Sequence, residues 1–124
     1  MVLKNNKYKH LNLFQSALSA TRGLFHAFNE ERNLKIDLFV LFFMLLIMMF
    51  LKFSIIENVI CLLNWALVVS LEIVNTVFER LIDKTLGTAY NTEIKKMKDM
   101  TAAAVFFLSL TLVIIIIIIS ITKF

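Results

Sequence analysis

The sequence contains no proline, two glycines and one cysteine in 124 residues. Without a glycine-rich stretch there is no loop to cradle a phosphate by its backbone, and without proline there is no rigid linker. The many tight turns of a small β-sandwich or barrel are excluded on the same grounds. Helices are what remains. The lone Cys61 rules out an internal disulfide, and with His10 and His26 as the only imidazoles there is no Cys/His zinc constellation. A metal, if one is bound, must be held by oxygen. Charge is scarce as well: 18% of residues are charged and 60% are hydrophobic, with a mean hydropathy of +0.83. Soluble domains are about 45–50% apolar. The chain therefore reads as an all-α membrane protein, expected to form one membrane-embedded domain over residues 1–124 with no separate soluble catalytic domain.

The clearest membrane span is 100–122, which carries no charge and includes the isoleucine run 114–119. At about 1.5 Å per residue it crosses a hydrocarbon core of about 30 Å. A second span is expected at 36–56, with Asp37 and Lys52 near its ends and the lysine snorkelling. The third, 58–78, contains one charge, Glu72. Ahead of these, Leu11, Phe14, Leu18, Phe25 and Phe28 recur at helical spacing with Lys9, Gln15, Arg22 and Asn29 elsewhere, which predicts an amphipathic helix over about 10–31 lying on the membrane surface. No cleavable signal peptide is expected, because the first strongly apolar run begins only near position 36 and no small-residue cleavage pattern follows it.

Lysine and arginine set the expected orientation. Six lie in residues 1–35 and five in 79–99, leaving Lys52 and Lys123 for the other side. The positive-inside rule then puts the N-terminus and the segment 79–99 in the cytoplasm, and the turn near Ser54 and the C-terminus outside. The net charge of +4 is thus a topology signal. No nucleic-acid partner is expected, since no recognition fold accompanies the lysines.

Continued as a helix, the span from 58 brings Glu72, Asn75, Glu79 and Asp83 to i, i+3, i+7 and i+11. All four then share one face within an arc of about 80°. Glu72 and Glu79 are separated by roughly 10.5 Å along the axis, so they sit at different depths. Glu72 lies about 9 Å inside the cytoplasmic end of the span, whereas Glu79 and Asp83 emerge toward water. An ionisable group at such depth costs several kcal/mol unless paired or hydrated, and by default marks a substrate or ion pathway. Carboxylates converging at the interface suit Mg²⁺, which is held by one or two carboxylates with substrate phosphates supplying further oxygens. Nearby lysines suit phosphate. Among the remaining polar residues, Cys61 and Trp65 read as packing residues, Ser70 as an interhelical hydrogen-bonder and His26 as an interfacial residue.

The run from Glu72 to Asp83, Glu-Ile-Val-Asn-Thr-Val-Phe-Glu-Arg-Leu-Ile-Asp, resembles the signature of the small prokaryotic integral-membrane lipid kinases, the diacylglycerol and undecaprenol kinases. Ala-Thr-Arg-Gly-Leu at 20–24, Glu31-Arg32-Asn33, and Lys98-Asp99 followed by Ala-Ala-Ala-Val at 102–105 are similar to further segments of that family, in the same order. The resemblance implies a homotrimer of three-span protomers in the bacterial plasma (inner) membrane, passing the γ-phosphate of MgATP to the hydroxyl of a membrane lipid. It implies Glu72 as the general base, Asn75 as the polar residue beside it, and Glu31 and Glu79 as the Mg²⁺ ligands. It further implies Asp83, Tyr90, Lys98 and Asp99, with Glu31 and Glu79, on the nucleotide side. Val77 and Phe78 are bulkier than the family pattern, and Ala89-Tyr90-Asn91 replaces its Glu-Tyr-His. Diacylglycerol is the expected substrate and undecaprenol the alternative within the family. Two readings of other classes are an ion-coupled carrier using Glu72 as its proton site and a non-catalytic assembly subunit.

Overall fold

The structure is a computed structural model that describes residues 12–87 and 91–124. Among the described residues there are four helices and no strand: α1 (Leu13–Glu30), α2 (Arg32–Phe50), α3 (Ile55–Leu86) and α4 (Thr92–Ile121). They fall into two units, one ending at Arg32 and carrying α1, the other Asn33–Phe124. The last three helices are each long and apolar enough to cross a membrane.

In α1, Asn12 caps the N-terminus by accepting from the amide of Gln15 at 2.9 Å, and the amide of Glu31 closes the other end on the carbonyl of Ala27. The helix buries none of its residues, and Phe14 and Phe25 are largely exposed. An uncovered apolar face on a helix with polar residues opposite is the form of a helix lying in a membrane interface. The sequence places its start near 10; positions before 12 lie outside the described residues.

The end of α2 departs from the expected 36–56 span, and the reason is local. Lys52 adopts φ 54°, the left-handed region. The amide of Phe53 bonds to the carbonyl of Met48 at 2.9 Å and that of Lys52 to Met49 at 3.4 Å. This is the paired 6→1 and 5→2 closure that ends a helix, with Phe53 and Met48 in the same apolar cluster as its hydrophobic contact. Ser54 then starts α3 through a reciprocal box: its hydroxyl accepts from the amide of Glu57 at 3.3 Å, and its own amide donates to Glu57 Oε2 at 2.6 Å. The turn is therefore Leu51 to Ser54, where the sequence places it, but α2 stops at Phe50.

From there α3 runs without interruption to Leu86. Gly87 follows with φ 76° and ψ 178°, a combination essentially confined to glycine. The next helix begins earlier than the 100–122 span. Asn91 accepts from the amides of Glu93 and Ile94, and the charged run from Glu93 to Asp99 forms the first turns of α4, with Lys96–Glu93 and Lys95–Asp99 pairs at i, i+3 and i, i+4 spacing.

Antiparallel α3 and α4 are tied at both ends and between. Lys98 pairs with Asp83 at one end, Lys123 with Glu57 at the other at 2.7 Å, and Asn64 Nδ2 donates to Thr111 Oγ1 at 3.2 Å part-way along. The core of this unit is Met44 and Met48 from α2, Phe53 from the turn, Cys61 from α3 and Leu112 from α4. Cys61 is fully buried, as expected of a packing residue, and Trp65 packs against the same cluster. Ser70 departs from expectation: its hydroxyl donates to the carbonyl of Ala66 in its own helix at 2.8 Å, not to another helix. A hydroxyl on a helix has the i−4 carbonyl within reach, and Ser70 is exposed.

Most of the apolar surface of α2 and α4 is exposed, which in lipid carries no hydrophobic penalty. Packing, not transfer from water, stabilises the helix contacts. Met44→Ala is accordingly expected to cost about 1–2 kcal/mol, the cavity part of a usual core truncation, in denaturant unfolding in micelles. The exposed Met49→Ala should change stability by less than about 0.5 kcal/mol.

Candidate active site

The unbroken α3 carries the polar stripe that the spacing predicts, and burial along it is graded. Glu72 is 4% exposed and Asn75 6%, whereas Glu79 and Asp83 are half-buried. A carboxylate and an amide are thus sunk among apolar neighbours, and two further carboxylates follow toward the helix end.

Each is held by an identifiable partner. Asn33, in the first turn of α2, donates its amide N–H to Glu72 Oε1. Oε2 takes no hydrogen bond from the described residues. Asn75 Nδ2 donates to Glu79 Oε1 one turn away at 3.3 Å, while its carbonyl Oδ1 is buried without a partner. A buried acceptor left empty costs about 1–3 kcal/mol, so an arriving hydroxyl or bound water would find a ready place there. Asp83 is paired with Lys98 Nζ of α4 at 2.5 Å, and both side chains keep partial exposure. The site end of the helices thus combines a buried carboxylate, an open acceptor, a half-buried carboxylate and a cation.

The sequence also assigns Asp99, Glu31 and Tyr90 to the site. Asp99, next to Lys98 in sequence, points along the outer flank of α4 and pairs with Lys95 at 2.9 Å, both well exposed. Glu31 is the residue that closes α1, in the first unit. Tyr90 lies outside the described residues. Among the described residues no group of three or more His, Cys, Asp or Glu side chains gathers as a metal site. Mg²⁺ takes few protein ligands and fills its shell from water and substrate oxygens, and a half-buried carboxylate such as Glu79 fits as one of them.

Two participants carry no site signal of their own in the sequence. Asn33 stands there only as part of a motif, and Asp37 only as a charge near a span end. In the fold Asp37 has its Oδ2 buried without a partner and interacts electrostatically with Glu72, and its backbone carbonyl accepts the indole N–H of Trp65 at 3.0 Å. An apolar groove of about 790 Å³ between Leu46, Ile47, Phe50 and Phe124 is at the other end of the helices.

The family model for prokaryotic diacylglycerol kinase matches residues 18–120. The chain belongs to that family. It is also 32% identical over 99 residues to a diacylglycerol kinase of Synechocystis sp. (strain ATCC 27184 / PCC 6803 / Kazusa), an alignment that covers 80% of this chain and 57% of that relative. The chain thus spans little more than half the length of the curated relative it matches. No solved structure matches it. The matched residues take in α2, α3 with its whole polar stripe, and nearly all of α4.

Proposed function

We propose that the protein is an ATP-dependent lipid kinase that transfers the γ-phosphate of MgATP to the hydroxyl of diacylglycerol, yielding phosphatidate and ADP. The observation that carries this reading is the buried Glu72, hydrogen-bonded by a neutral amide and in line with Asn75 and Glu79 on a helix that runs from apolar surroundings to a charged end. A lipid hydroxyl arrives from the bilayer and a nucleotide from water, and this stripe joins the two.

In the reaction Glu72 accepts the proton of the lipid hydroxyl as its oxygen bonds to the γ-phosphorus and the bond to the β-phosphate oxygen breaks. Asn75, with its free carbonyl, orients the attacking hydroxyl beside the base. Glu79 would hold Mg²⁺ on the nucleotide, and the family resemblance gives Glu31 the same task; the ion, when bound, supplies neutralisation of the phosphate charge. Lys98, kept at the site by Asp83, adds a cation on the nucleotide side. Tyr90 and Asp99 are assigned there by resemblance alone. Water is kept from the base by the burial of Glu72, which favours transfer to lipid over hydrolysis.

The same reading takes the protein as multi-pass in the bacterial plasma membrane with its N-terminus cytoplasmic, which the lysine distribution supports. A homotrimer is the assembly we propose, in line with the large uncovered surface of α4. Undecaprenol is the alternative acceptor, a branch that the run Glu31-Arg32-Asn33 slightly resembles. The test is ADP release by the purified protein in mixed micelles. Release that requires diacylglycerol supports the main reading, release that requires undecaprenol moves the acceptor, and none with either returns the carrier reading.

A further inference from the structure

Asn33 and Glu72 are 39 residues apart in sequence and lie on different helices, yet the amide of one donates to Oε1 of the other. A second contact joins the same two helices. Trp65 is seven residues before Glu72, on the same face of α3, and its indole N–H is bonded to the carbonyl of Asp37, four residues after Asn33. Leu34, beside Asn33, is fully buried. Trp65 thus ties α3 to α2 about one turn from Asn33.

The type of donor matters. A cation hydrogen-bonded to Glu72 would stabilise its anion and weaken it as a proton acceptor, and an unbonded carboxylate would be free to turn about its terminal torsion. A neutral amide fixes one oxygen and leaves the other for substrate. Asp37, one turn beyond Asn33, has a carboxylate oxygen buried without a donor.

We infer that Asn33 is a positioning residue for phosphoryl transfer, holding Glu72 by Oε1 so that Oε2 is presented to the lipid hydroxyl. This rests on Glu72 being the base, as proposed above. It assigns to the first turn of α2 a part in catalysis without contact with either substrate.

Steady-state kinetics of the full chain test it, with MgATP and whichever of diacylglycerol and undecaprenol accepts phosphate, for Asn33→Ala, Asn33→Gln and Asn33→Asp beside Glu72→Gln. Asn33→Ala is expected to lower kcat by about 10- to 100-fold, the cost of a misplaced reacting group, with both KM values within about twofold of wild type. Asn33→Gln keeps the donor on a longer arm and should recover part of the loss. Asn33→Asp is equal in size but adds a carboxylate beside Asp37 and Glu72, and should fall below the alanine variant. A rise in lipid KM at unchanged kcat would overturn the inference, since it would make Asn33 a substrate contact. Wild-type kcat in Asn33→Asp overturns it too, and decides the matter if the alanine variant does not fold. Should Glu72→Gln keep wild-type kcat, the base assignment fails and this inference with it; an inactive Glu72→Gln beside fully active Asn33 variants refutes the role of Asn33 alone.

Discussion

Glu72→Gln is expected to lower kcat by about 10²- to 10⁴-fold, the usual contribution of a general base, while the KM for MgATP stays within about twofold. The substitution conserves size and keeps a carbonyl oxygen to accept from Asn33, so the α2–α3 contact survives. What it removes is a proton acceptor and one buried charge. With one buried charge fewer, stability in micelles should be unchanged or higher. An inactive protein of equal or greater stability separates a chemical role for Glu72 from a structural one. A base needed for folding would show the opposite pair of results.

Glu79→Gln is the second large effect, and its signature differs. Glu79 is half-buried, accepts from Asn75 and lies about two turns beyond Glu72 toward the charged end of α3. As a proposed Mg²⁺ ligand it should raise the Mg²⁺ concentration needed for half-maximal activity by at least about tenfold, and raise the KM for MgATP with it. Titration of activity with Mg²⁺ checks this. Excess Mg²⁺ should restore part of the activity of Glu79→Gln and none of that of Glu72→Gln. If both variants respond to Mg²⁺ alike, the division of labour along the stripe is wrong.

That division is legible in the sequence because it depends on spacing within one helix. Glu72, Asn75, Glu79 and Asp83 share a face on any unbroken helix, and neither proline nor an internal glycine interrupts 58–86. The turn at Ser54 is legible too, since a serine followed three residues later by glutamate before an apolar run is a local start signal. The N-terminal extension of α4 is not. A charged stretch fails any test of hydropathy, and its helicity comes from the Asn91 cap and the pairs among Glu93, Lys95, Lys96 and Asp99. The end of α2 is obscured for a different reason, as Phe50, Leu51 and Phe53 are all apolar and only a left-handed Lys52 stops the helix between them.

The partners of the stripe are hidden most deeply. Asn33 and Asp37 lie on a helix whose remaining surface is apolar on nearly all sides, so periodicity does not say which face turns toward α3. Trp65 decides it, by bonding to the backbone of Asp37, and backbone carbonyls are equivalent in a sequence. Lys98 is marked by resemblance, but its pairing with Asp83 depends on the antiparallel register of α3 and α4. Asp99 shows the converse: sequence adjacency to Lys98 puts it about 100° around the helix, where it meets Lys95.

Transfer of labelled phosphate tests the account most directly. Purified wild-type protein and Glu72→Gln, each verified as folded, are given γ-labelled MgATP in mixed micelles with diacylglycerol, and the label in the organic-extractable fraction is identified chemically. The account predicts phosphatidate from the wild type and at most about a hundredth of its rate from Glu72→Gln. Equal labelling by both proteins, or no labelled lipid from either with diacylglycerol or undecaprenol, would contradict it.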